Sequence, residues 1–141
     1  MPNSGPIILI EDDEDDMEMM KDIMRDLKVK NQLECFTLTM AAFDYLKHTS
    51  KNPFLIICDM NLPMQNGIEF KRELDKDKEL RKKSIPFIFY STAVDEHLVE
   101  LAYIHMAVQG YFKKGNDYEQ MRELMRLIIG YWKLCRHPNS D

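Results

Sequence analysis

Four short apolar segments of this sequence each run directly into side chains that can bind a metal ion or a phosphate. The pairs are "IILI" (7–10) with "EDDEDD" (11–16), "FLIIC" (54–58) with Asp59, "PFIFY" (86–90) with Ser91 and Thr92, and "GYF" (110–112) with Lys113 and Lys114. The carboxyl ends of parallel strands meet at one edge of a sheet, where ligands bind. If these segments are parallel strands, the acids, hydroxyls and lysines converge at that edge.

This set of side chains suits phosphoryl chemistry. Carboxylates that are held close together repel each other unless a cation lies among them, and Mg²⁺ prefers oxygen ligands. A hydroxyl and a lysine suit the far side of a phosphoryl group, and an aspartate beside the cation can be the nucleophile. Taken alone, "EDDEDD" fits equally well a solvated acidic turn in which Asp15 and Asp16 cap a helix.

The spacing of apolar residues predicts the elements that position these side chains. A weaker strand candidate, "LECFT" (33–37), brings the number of strands to five, and the three most apolar segments suit strands covered on both faces. Helical spacing marks five apolar faces: Met17, Met20, Ile23, Met24 and Leu27; Ala42, Phe43 and Leu46; Ile68, Phe70 and Leu74; Leu98, Leu101, Ala102 and Met106; and Met121, Leu124, Ile128 and Tyr131. Strand–helix alternation of this kind predicts a mainly parallel sheet with helices on both faces.

The composition limits the class of protein. The length of 141 residues predicts one domain, with a core over about residues 6–135 and a short flexible tail. No segment is long and apolar enough to span a membrane, and no signal peptide is expected. Three scattered cysteines favour a reducing cytoplasm, and a net charge of -5 argues against direct binding to nucleic acid.

Together, four motifs of this sequence resemble the receiver domain of bacterial two-component response regulators. They are "IILIEDDEDD", "IICDMNLPMQNG", "FIFYSTA" and "YFKKG", and they follow in the family's order across about residues 7–131. Asp59, Pro63 and Gly67 fit the D-x-x-x-P-x-x-x-G signature. The resemblance implies a flavodoxin-like three-layer α/β/α sandwich with a five-stranded parallel sheet, strand order 2-1-3-4-5, and five helices. It also implies a stand-alone domain of the chemotaxis-regulator type.

The same resemblance assigns the acidic residues. Asp59 would be the phosphoacceptor in a Mg²⁺-dependent reaction. Asp12 would bind the metal directly and Glu11 would bind it through water. Asn61 would offer its backbone carbonyl to the same ion.

The resemblance also assigns the residues that respond to the phosphoryl group. Lys114 would meet the phosphoryl oxygens, and Tyr111 would be the aromatic switch residue, although a core aromatic would fit that position as well. Counting from Pro86 makes Ser91 the switch hydroxyl, whereas counting back from Lys114 makes it Thr92; we favour Ser91. The family usually has proline in a cis peptide after the lysine, where this chain has Gly115, so a cis bond is not expected.

The resemblance implies a phosphoacceptor switch and not a turnover enzyme. The phosphoryl donor would be a histidine of a sensor kinase or of a phosphotransfer protein, and the chain would be a monomer or a weak homodimer. The alternatives are a receiver-like binding module that works without phosphorylation and a magnesium-dependent phosphohydrolase. A flavin-binding protein of the same fold is disfavoured, because "EDDEDD" would repel the cofactor's phosphate.

Overall fold

The structure is a computed structural model that describes residues 2–62, 64–92, 96–106, 108–115 and 117–136. The strands are β1 (Ile7–Ile10), β2 (Leu33–Phe36), β3 (Leu55–Asp59), β4 (Phe87–Ser91) and β5 (Gly110–Lys113). The helices are α1 (Glu14–Asp26), α2 (Thr39–His48), α3 (Gly67–Lys76), α4 (Lys78–Lys83), α5 (Glu96–Met106) and α6 (Tyr118–Leu134). A short 3₁₀ helix over Pro2–Ser4 precedes β1.

All five strands pair in parallel, in the order β2-β1-β3-β4-β5. The predicted sheet and strand order are therefore confirmed. Every residue of β1, β3 and β4 is buried. This burial explains the uninterrupted apolar runs, because central strands of a doubly covered sheet have no solvent face.

Alternate residues of the strands point into two separate cores. Helices α2, α3, α4 and α5 pack over one face of the sheet, against side chains that include Ile8, Ile10, Ile56 and Cys58. Helices α1 and α6 pack over the other face, against Ile7, Leu9, Leu55 and Ile57. The molecule is thus the predicted three-layer sandwich, and its strand ends are left open at one edge.

The helix count differs from the sequence prediction. The charged segment 76–84 contains the short helix α4, so the described residues form six α-helices and not five. Asp77 caps α4 by accepting a hydrogen bond from the Leu80 amide at 3.1 Å, and Leu80 buries its side chain in the core. Periodicity missed this helix because its six residues contain a single apolar anchor.

The predicted apolar face of the last helix is partly wrong. Tyr131 is 62% exposed, whereas the buried side chains of α6 are Met121, Met125, Ile128 and Ile129. The side chains of Leu98 and Met106, predicted to face the core from α5, lie outside the described residues, as does most of the predicted tail. Within the described part of the chain, none of the helices has the length and apolar character to cross a membrane.

Candidate functional site

The open edge of the sheet brings together side chains from the ends of four strands. Glu11 directly follows β1, Asp59 ends β3, Ser91 ends β4 and Lys114 directly follows β5. The strand register aligns them, because Asp59 is paired with Tyr90, and Ser91 is paired with Lys113. The Lys114 amide then donates to the Ser91 carbonyl at 2.8 Å. Parallel pairing of the strands thus places residues that are far apart in sequence in one cluster.

Three carboxylates of this cluster form a candidate metal site. Glu11, Asp12 and Asp59 each offer a carboxylate oxygen, and these atoms all lie within 4.8 Å of one another. Glu11 is fully buried and Asp59 is 5% exposed, whereas Asp12 is exposed. Hard oxygen donors with one side open to water are what Mg²⁺ requires. The residues present therefore fit the predicted cation.

Lys114 lies among these acids as their positive counterpart. Its Nζ donates to Glu11 Oε1 at 2.8 Å, to Asp16 Oδ2 at 2.9 Å and to Asp59 Oδ2 at 3.3 Å. Burial would lower the pKa of Lys114, but the hydrogen bonds to Glu11 and Asp16 outweigh it and raise that pKa. The described residues contain no cis peptide bond, so the bond from Lys114 to Gly115 is trans.

Asp16 is a site residue that the sequence analysis assigned to a different task. The N-cap of α1 is Asp13, whose carboxylate accepts from the Asp16 amide at 3.0 Å. Asp15 and Asp16 lie in the first turn of the helix, where carboxylates favour the helix dipole as predicted, although the N-cap residue itself is Asp13. The first turn aims the Asp16 carboxylate at Lys114, a contact that no pattern in "EDDEDD" specifies.

Tyr90 is a second site residue that the sequence analysis missed. Its side chain is 1% exposed, and its hydroxyl donates to Glu11 Oε1 at 2.7 Å. The Lys114 ammonium lies over its ring, 4.7 Å from the centroid. In the sequence Tyr90 is the last residue of the apolar run "PFIFY", which predicts only a buried strand. The available signal was the hydroxyl itself, since a buried tyrosine usually needs a hydrogen-bond partner.

The cluster changes the acidity of its two buried carboxyls in opposite directions. Burial and the neighbouring Glu11 raise the pKa of Asp59 from its ordinary 3.8 to about 6. Burial opposes ionisation of Glu11 too, but the hydrogen bonds from Lys114 and Tyr90 outweigh it and lower its pKa. Without a metal ion, the Glu11 carboxyl therefore stays ionised to a lower pH than the Asp59 carboxyl does.

The predicted switch residues lie beside the cluster. Ser91 is fully buried, and its Oγ accepts a hydrogen bond from the side-chain Nδ2 of Asn61 at 3.1 Å. The backbone amide of Asn61 donates to Asp59 Oδ1 at 3.1 Å. Thr92 follows the end of β4 and is exposed. Tyr111 is half-buried on β5, and its ring centroid is 6.0 Å from that of Phe89.

Gly67 of the predicted signature brings α3 into direct contact with β3, the strand that ends in Asp59. Its amide donates to the Met60 carbonyl at 3.0 Å. A Cβ at this position would lie 2.7 Å from Phe89 Cε1 and 2.9 Å from the Asp59 carbonyl oxygen. Glycine is therefore required by space. Pro63, the other member of the signature, lies outside the described residues.

Comparisons with known proteins agree with this geometry. The sequence model of the response regulator receiver domain family matches residues 7–126. Response regulator Rcp1 of Synechocystis sp. is 24% identical over 131 residues, which cover 89% of this chain and 87% of Rcp1. The crystal structure of the phosphorylated cyanobacterial phytochrome response regulator RcpA is similar, with a TM-score of 0.84 and 25% identity over 95% of this chain and 98% of RcpA. The Mn²⁺-bound form of Rcp1 shares the fold, with a TM-score of 0.81 and 23% identity over 95% of this chain and 98% of Rcp1.

Proposed function

The chain belongs to the response regulator receiver family, and we propose that it is a phosphoacceptor switch that takes a phosphoryl group onto Asp59. The observation that supports this proposal most directly is the convergence of Glu11, Asp12, Asp59 and Lys114 at one edge of the sheet. Acids that can hold a cation and a lysine that can meet phosphoryl oxygens are the two halves of such a site.

Each side chain has a distinct part in the proposed reaction. Glu11, Asp12 and Asp59 would hold Mg²⁺ together with the Asn61 backbone carbonyl, and the bound cation would offset the negative charge of the phosphoryl group. A carboxylate oxygen of Asp59 forms the new bond to phosphorus, while the bond from phosphorus to the donor breaks and the donor departs with that electron pair.

The phosphoryl group then attracts the residues around it. Lys114 turns from Asp16 and Glu11 toward the phosphoryl oxygens. The Ser91 hydroxyl, which accepts from Asn61 in the unphosphorylated structure, becomes a donor to the same oxygens. The new hydrogen bond draws the Ser91 end of β4 toward the phosphoryl group. This movement changes the packing of Phe89 against Tyr111 and so alters the surface around β5. The burial of Ser91 and the exposure of Thr92 support Ser91 as the switch hydroxyl.

The donor in this proposal is a phosphohistidine, carried by a sensor histidine kinase or by a histidine phosphotransfer protein. Residues 1–141 would form a single receiver domain whose output is a protein–protein contact, as a monomer or a weak homodimer. The described cysteines Cys35, Cys58 and Cys135 are free, which supports a reducing compartment such as the cytoplasm.

Incubation with a small phosphodonor tests the proposal. With Mg²⁺ present, the parent protein should gain one acid-labile phosphoryl group, which intact mass spectrometry detects. Asp59→Asn should gain none, whereas the control Asp44→Asn, which changes an exposed acid on α2, should be labelled like the parent. Labelling of Asp59→Asn would contradict the assignment. An unlabelled parent that still binds beryllofluoride would leave Asp59 phosphorylation without support.

A further inference from the structure

Tyr90 reaches the metal-binding acids from two strands away. Its strand, β4, is separated from β1 by β3, yet its hydroxyl lies 2.7 Å from Glu11 Oε1, the acid that follows β1. The backbone of Tyr90 is paired with Asp59, the proposed phosphoacceptor. One buried phenol therefore spans the strand of the phosphoacceptor and contacts its acidic neighbour.

The Glu11 carboxylate is held by three donors from different elements. Oε1 accepts from the Tyr90 hydroxyl and from Lys114 Nζ, and Oε2 accepts from the Asp13 amide at 3.1 Å. Because Glu11 has no exposed surface, bulk water cannot replace a donor that is lost. Removal of the hydroxyl would leave the Lys114 ammonium as the remaining donor to Oε1, so the carboxylate would be less firmly oriented.

The ring of Tyr90 fixes the second partner of Glu11. The Lys114 ammonium lies over the ring face, at a distance where a cation is attracted to an aromatic system. Gly115 follows Lys114, and a glycine constrains the neighbouring backbone less than the proline usual in the family. The side-chain contacts to Tyr90, Glu11 and Asp16 consequently carry much of the placement of the lysine.

We propose that Tyr90 is a positioning residue of the phosphoacceptor site, which holds Glu11 in the orientation needed beside Mg²⁺. The proposal rests on the proposed function, since it assigns Tyr90 a part in the same site. It predicts that the hydroxyl acts through Glu11 alone. Partners that orient metal ligands commonly change metal affinity by about 10-fold or more when they are removed.

The test compares Tyr90→Phe with the parent protein, because this substitution removes the hydroxyl and keeps the ring. The dissociation constant for Mg²⁺, measured by calorimetry, should rise about 10-fold. In metal-free protein, hydrogen exchange measured by NMR should become faster at the Asp13 amide, whose acceptor is Glu11. The matched control Tyr118→Phe removes a hydroxyl that donates to Asp26, the last residue of α1, and should leave both measurements unchanged.

A double-mutant cycle separates positioning from a general loss of packing. In a Glu11→Gln background, the further change Tyr90→Phe should raise the Mg²⁺ dissociation constant less than twofold, because the residue through which Tyr90 acts is already altered. Effects that multiply independently would overturn the proposal. Unchanged Mg²⁺ binding and unchanged Asp13 exchange in the single variant Tyr90→Phe would overturn it too.

Two further measurements cover a variant that does not fold and a failure of the proposed function. If Tyr90→Phe does not fold, the parent protein still tests the contact: a slowly exchanging Tyr90 hydroxyl proton that shifts on Mg²⁺ addition supports the proposal, and a rapidly exchanging one overturns it. Phosphorylation of Asp59 is assayed separately. An unlabelled parent that shows the expected effects of Tyr90→Phe would contradict the proposed function and leave the positioning of Glu11 supported.

Discussion

Lys114 Nζ lies 2.8 Å from Glu11 Oε1, although the two residues are 103 positions apart in sequence. The contact joins the end of the first strand to the residue after the last strand. It also places a fixed positive charge among carboxylates that would otherwise face one another. Without a metal ion, Lys114 is the internal counterion of the site.

Removal of this internal counterion should destabilise the metal-free protein. Lys114→Met leaves the buried Glu11 and Asp59 carboxylates without their cation, and breaking a buried pair in this way costs about 3–5 kcal/mol. Urea unfolding in EDTA measures the loss. The control Lys21→Met removes a lysine whose partner is the exposed Glu18, and its effect should stay below about 1 kcal/mol.

The same variant should respond more strongly to Mg²⁺ than the parent does. The cation then supplies the positive charge that Lys114→Met lacks, so the free energy of unfolding should recover by more than the parent gains. Equal gains in the two proteins would mean that Lys114 does not neutralise the cluster.

Mg²⁺ should stabilise the parent protein by mass action. At a hundredfold excess over the dissociation constant the gain is about 2.7 kcal/mol, provided that the unfolded chain does not bind the ion. Asp12→Ala should abolish this dependence, whereas Asp15→Ala, which removes an exposed acid of the same acidic run, should retain it. A Mg²⁺-dependent melting temperature in Asp12→Ala would place the ion elsewhere.

The raised pKa of Asp59 should make the metal-free protein less stable as pH rises. The folded protein holds this proton up to about pH 6, whereas the unfolded chain releases it near 3.8, so the folded state binds more protons between these values. This contribution to stability is present below about pH 4 and is lost as pH rises through about 6. Its size is on the order of 3 kcal/mol.

Comparison of two proteins isolates this pH effect. Glu11, whose pKa is lowered, contributes in the opposite sense at lower pH, so the parent alone gives a mixed profile. The stability of Asp59→Asn relative to the parent, measured by urea unfolding in EDTA, should increase between about pH 4 and about pH 6. A constant difference across this range would contradict the raised pKa.

The switch hydroxyl can be identified from the response to phosphorylation. Ser91→Ala should still accept a phosphoryl group on Asp59, but it should show a smaller change in amide exchange across the described parts of residues 91–114. The reason is that a phosphoryl group shifts a conformational equilibrium only through contacts that differ between the two states. Thr92→Val is the matched control; if it alone loses the response, the switch hydroxyl is Thr92.

The fold could be predicted from the sequence because its signals are local and repeated. Runs such as "IILI" and "FLIIC" report burial on both faces, and the parallel order then determines which residues meet at the open edge. The short helix α4 was not predicted, because one buried leucine does not establish a helical period.

The candidate site was only partly predictable, for a related reason. Glu11 and Asp59 are recognisable because each directly follows an apolar run, and Lys114 because it belongs to the lysine pair after "GYF". Asp16 and Tyr90 lack that mark, since one lies within a helix turn and the other within a strand. Their part depends on rotamers and on the 4.7 Å approach of Lys114 to the Tyr90 ring, which only three-dimensional packing specifies.

The close approach of α3 to β3 has a consequence for the sequences that this fold tolerates. In a saturation library selected for folded protein, codon 67 should retain glycine alone, since even alanine would place its Cβ 2.9 Å from the Asp59 carbonyl oxygen. Codon 130 offers the contrast, because Gly130 lies within α6 and a Cβ there meets no heavy atom within 4 Å. Alanine should be enriched at codon 130, where it favours the helix by about 1 kcal/mol. Two glycines of one small protein would thus diverge under the same selection.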